Sequence, residues 1–159
     1  MTNQFLLTLR ILSGAFIGAL AMITAVMVLV APETVVPEPW VIAVLLGLVA
    51  VATILGLVMI GQVPAAAPGD TVRSMVARVQ SVHITRLALT EAPALLAIVL
   101  TFLADEPSWV TVAVASVPTI VLMLLFVFPH QGVLRRYERA LDAGGARTQF
   151  TDKLLGKVA

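Results

Sequence analysis

The chain has no cysteine among its 159 residues, which excludes disulfides, thiolate-held metal and a cysteine nucleophile. Charge is also scarce. Acidic and basic residues make up 12% and hydrophobic residues 60%, against roughly a quarter and a half in a soluble domain. Other signatures are missing as well: no glycine-rich phosphate loop, no HExxH, no Ser/His/Asp order in a suitable context, and no carboxylate pair within one apolar stretch. The expectation is therefore a non-enzymatic chain with no cofactor, no metal site and no nucleic-acid partner. A mean hydropathy of +1.04 makes lipid the solvent for most of it.

Four stretches reach the roughly 20 apolar residues needed to cross about 30 Å of hydrocarbon, at 11–31, 40–61, 84–104 and 109–128. "APETVVPEPW" joins the first pair and "ADEPSW" the second, both rich in proline and acid as water-exposed turns are. This predicts an all-α, polytopic fold of two hairpins over 1–128, followed by a tail over 129–159. The first apolar core is too long for a signal-peptide core and lacks an A-x-A site, so it is expected to remain as a span.

All ten basic residues flank the same ends of these spans, from Arg10 through Arg73, Arg78 and Arg86 to Arg135 and beyond, while Glu33, Glu38, Asp105 and Glu106 occupy the opposite turns. The positive-inside rule then places both termini in the cytoplasm of a bacterial inner membrane, with Trp40 and Trp109 at the outer boundary. Val72, Met75, Val76, Val79 and Val82 recur at helical spacing and continue unbroken into the third span. In the tail, Val133, Leu134, Tyr137 and Leu141 form a stripe beside Arg135, Arg136 and Arg139 that Gly144-Gly145 ends. A basic amphipathic tail of this kind is expected on anionic lipid headgroups. Phe150, Leu154, Leu155 and Val158 suggest one more short turn. "EPWVIAV" and "EPSWVTVAV" open the second and fourth spans, so the hairpins read as parallel copies, with Ala15 opposite Glu91.

"RLALTEAPALLAIVLTFL" sets a carboxylate, Glu91, about 10 Å into the hydrocarbon. At that depth it must be neutral, paired, or turned toward a wet or protein-filled interior. Three roles stay open: a neutral packing acid, a proton or ion carrier, and a partner contact. Pro93 loosens the backbone beside it, and Pro118 does the same in the fourth span near the hydroxyls of Ser116 and Thr119. Arg86 lies about 140° around the helix from Glu91, which turns it away and suits it to snorkel to phosphates at the membrane surface. His83 and His130 lie at the same ends of adjacent spans, as interfacial groups rather than metal ligands. Gly14 with Gly18, Gly47 and Gly56 allow close helix packing, within a bundle or between copies.

"LALTEAPALLAIVLTFL" resembles the second helix of the F-type ATP synthase c subunit, an Ala-rich helix with a carboxylate in an "ALxEA" setting. That resemblance implies Glu91 as a proton-binding acid, with Ala88, Thr90 and Ala92 packed closely around it. It covers 87–103 only. The preceding span carries just Gly47, Gly56 and Gly61 in place of a dense glycine repeat, and "GQVPAAAPGD" replaces the Arg-Gln-Pro loop. Along its whole length the chain resembles uncharacterised four-span bacterial integral membrane proteins with a similar third helix and a basic tail, which implies location and topology alone. The expected function is a small accessory or self-associating membrane subunit, in a homo-oligomer or larger membrane complex. Its alternative is proton or ion translocation through Glu91, with Thr90, Ser116 and Thr119 as companions.

Overall fold

A computed structural model describes residues 2–157, with side chains from residue 4 onward; Val158 lies outside them. Its helices are α1 (Thr2–Val30), α2 (Pro39–Val58), α3 (Val72–Leu103), α4 (Trp109–Leu122), α5 (Gln131–Leu141) and α6 (Phe150–Leu154), and no strand forms among the described residues. Gln4–Val30, Pro39–Gln62, Val72–Leu103 and Trp109–Val127 are long and apolar enough to span a membrane. The first runs further back than residue 11 because nothing near Arg10 breaks it, and Thr8 donates its hydroxyl to the Gln4 carbonyl. The third is a single 32-residue helix, about 48 Å long at 1.5 Å per residue.

Local chemistry sets the helix starts. Pro39 takes the first-turn position that needs no amide donor. The hydroxyls of Thr71 and Ser108 accept from the amides of Ser74 and Val110, and His130 Nδ1 accepts from Gly132 N–H. Pro93 and Pro118 remain inside α3 and α4 without breaking them. Past α4 the fourth span closes with a wide π turn, Met123–Val127, where the Phe128 amide reaches the Met123 carbonyl at 2.7 Å.

α3 and α4 form a central pair, and α1 and α2 each pack against both of them. Small residues permit this approach: Ala97 and Ala115 meet Leu45 and Val49 in one buried cluster. At one end of the bundle the two short loops join, with Trp109 N–H donating to the Ala31 carbonyl at 3.0 Å and Ser108 Oγ to the Glu33 carbonyl at 2.8 Å. The outer surface is apolar, with Leu29 82% and Leu103 75% exposed, which suits hydrocarbon and not water.

At the opposite end the tail departs from expectation. Its stripe of Val133, Leu134, Tyr137 and Leu141 faces no membrane surface; it is fully buried against Leu6, Ile60, Val63, Met75 and Val79. Phe150 and Leu154 of α6 complete the same core. The reason is burial: each large apolar side chain removed from water contributes about 1.5–3 kcal/mol, and the open bundle end offers the nearest apolar partner. Ala66 N–H donates to the Leu141 carbonyl at 2.8 Å, tying the 63–71 connection to α5. Gly145, at φ +86°, turns the chain out of α5 into a conformation that other residues adopt only with strain.

Candidate functional site

Polar chemistry inside the bundle converges on Arg86, which lies in the interior and not at the membrane surface that its type and position predict. Its guanidinium does not reach for phosphates: it is fully buried. Nε donates to the Gly56 carbonyl at 2.6 Å, Nη2 to the Phe126 carbonyl at 2.7 Å, and Nη1 to the Tyr137 hydroxyl at 2.7 Å. The physical cause is the direction of the helices. The second and fourth spans both end beside Arg86, and helix C-termini offer unsatisfied carbonyls carrying partial negative charge. The π turn brings the Phe126 carbonyl within reach. Two helix ends and a phenol thus hold a cation that no carboxylate among the described residues pairs with.

The network extends across the bundle. His83 Nδ1 lies 3.2 Å from Tyr137 Oη, and its Nε2 lies 2.9 Å from Ser13 Oγ. One donor order satisfies every member: Arg86 to the phenol oxygen, the phenol O–H to Nδ1, and Nε2–H to Ser13. That assignment, made from the network, gives a neutral imidazole. Burial pushes the Tyr137 phenol up from its ordinary pKa, while the charge and hydrogen bond of Arg86 pull it back. Gly56 is where α2 leaves room for this centre, since a β-carbon there would sit 3.7 Å from Thr90 Oγ1 and 4.0 Å from Arg86 Nε.

Glu91 belongs to a different place. It is half-buried at a groove of about 320 Å³ lined also by Ala15, Phe16 and Ala19 of α1. The groove opens on the outside of the bundle. Among the described residues no hydrogen bond or ion pair engages its carboxylate; the ion pair formed among them, Arg78 with Asp70 at 3.0 Å, lies at the start of α3. Gly14 and Gly18, exposed on the same helix, have open space where a side chain would begin, and so does Gly47. Of the four glycines expected at helix contacts, Gly56 is the one packed within the chain.

The expected companions of Glu91 are elsewhere. Thr90 is buried on the Arg86 side of α3 and donates to the Arg86 carbonyl at 2.7 Å. Ser116 and Thr119 are fully buried in α4, with hydroxyls that no described group satisfies. His130 caps α5 and bonds the Leu125 carbonyl at 2.9 Å, so it does not join His83. Arg135, Arg136 and Arg139 remain on the outer side of the tail helix, exposed or half-buried. Ser13, His83 and Tyr137 form one centre that residue spacing does not mark; its one signal in the sequence is the single tyrosine, set in the apolar stripe of the tail. Comparison with protein-family models, curated proteins and solved structures finds no match.

Proposed function

We propose that this chain is a non-enzymatic, multi-pass inner-membrane subunit that docks a second transmembrane helix, from its own copy or from a larger complex, in the groove between α1 and α3. One observation carries the reading: Glu91, a carboxylate that no described residue pairs with, opens on the outside of the bundle beside a patch of Gly14, Ala15, Gly18 and Ala19. A carboxyl facing hydrocarbon alone is costly, while small residues let another backbone approach until its polar groups reach the acid. The grouping of basic residues at the tail end supports cytoplasmic termini and contact with anionic headgroups.

Proton or ion translocation through Glu91 is the second reading, favoured by the same lack of a fixed partner. Against it, Thr90, Ser116 and Thr119 form no hydrogen-bonded path to the acid. The test is association in liposomes, followed by energy transfer between labelled copies and by purification in mild detergent. Association or a retained partner, lost in Gly18→Leu, is expected. Isolated monomer in both assays, together with a pH-gradient dissipation that Glu91→Gln abolishes, would replace docking with transport.

A further inference from the structure

A second concavity opens where the tail meets the bundle. Leu57, Ile60 and Gly61 from the end of the second span, with Arg136, Arg139 and Ala140 of α5, line an open cleft of about 450 Å³, within the roughly 300–1,000 Å³ of small-molecule sites. Arg136 and Arg139 are three residues apart and so leave one face of α5. The Arg136 guanidinium lies 5.6 Å from the centre of the Phe126 ring, which restricts where it points. Neither arginine has a carboxylate partner among the described residues. The nearby acids are used elsewhere: Glu138 accepts from Thr151 N–H and Asp142 from Thr148.

The floor of the cleft is apolar, and the same face of α2 continues through Leu57 to Ile54, which is 59% exposed. Gly61 has open space above it. Two guanidiniums without a carboxylate partner among the described residues, Arg139 held only by its Nε contact to the Arg135 carbonyl at 3.4 Å, stand above an apolar floor and call for a ligand that is anionic at one end and hydrocarbon at the other.

We propose that this cleft binds one anionic phospholipid, its phosphate held between Arg136 and Arg139 and an acyl chain lying over Gly61 and along Leu57 and Ile54. Guanidinium groups match phosphate in forked hydrogen bonds, which a diffuse basic surface does not provide. Free phosphate would use the arginines and leave the Leu57 and Ile60 floor uncovered.

Native mass spectrometry of the full chain in neutral detergent tests this with phosphatidylglycerol, phosphatidylcholine and inorganic phosphate as probes. Phosphatidylglycerol should be retained in preference to phosphatidylcholine and should resist displacement by inorganic phosphate. Arg136→Gln with Arg139→Gln should weaken it about thirtyfold. Gly61→Leu keeps both charges and fills the cleft, so it should abolish retention with melting unchanged; it also serves if the arginine variant does not fold. Equal binding of both lipids, wild-type retention in Gly61→Leu, or displacement by inorganic phosphate would each overturn the proposal.

Discussion

Arg86 of α3 and Tyr137 of α5 meet in the interior, the guanidinium donating to the phenol oxygen at 2.7 Å with both side chains fully buried. This contact joins a helix long enough to cross a membrane to the tail that follows the last span. The cation is held by the ends of two other spans, so one side chain fixes where α2, the fourth span and α5 stand relative to α3.

Replacing Arg86 should therefore loosen the whole tail end. Arg86→Gln leaves the carbonyls of Gly56 and Phe126 and the Tyr137 hydroxyl short of donors, each at about 1–3 kcal/mol. Arg86→Lys keeps the charge but lacks the fork that reaches three acceptors. Both variants should melt earlier in detergent, with protease cleavage appearing first between residues 129 and 150; unchanged melting would contradict the network.

Gly56 should be sensitive to size in a graded way. A single methyl would meet Thr90 Oγ1 at 3.7 Å, an ordinary contact, so Gly56→Ala should leave stability nearly unchanged. Gly56→Leu should push Arg86 out of line and cost about 1–3 kcal/mol. Thermal melting of the two variants side by side checks the difference.

Acid should release the 63–71 connection. Asp70 is held below the usual carboxylate range, foremost by the Ala67 N–H, with Arg78 and Ser74 adding and burial opposing. The unfolded chain thus takes up the proton first. The stabilisation is fully present above about pH 4 and is lost as pH falls through the lowered folded value. Protease susceptibility of this segment should rise across that window in wild type, and Asp70→Asn should show the raised susceptibility already at neutral pH.

Glu91→Gln and Gly18→Leu should leave the melting of the isolated chain within about 0.5 kcal/mol, because neither touches a buried contact. Association in the membrane should fall in both. A matching loss of fold stability would instead make Glu91 a packing residue of the chain itself.

How much could be read from the amino acids alone varies with the physics of each feature. Four apolar segments of spanning length, the unbroken run from Val72 into the third span, and the all-helical class follow from composition and spacing, since lipid forces backbone groups to pair within a helix. Helix periodicity also separates Arg86 from Glu91. What the sequence does not contain is which apolar faces meet. The Val133 to Leu141 stripe has the same pattern whether it covers a membrane or the end of its own bundle, and only the meeting of Leu6, Ile60 and Val79 at that end decided for the bundle. Arg86 is read as a surface residue by its type and position, yet the convergence of two helix C-termini makes a buried, carbonyl-lined place for it. Such a place is made by backbone carbonyls that every residue carries, so it leaves no mark on the sequence.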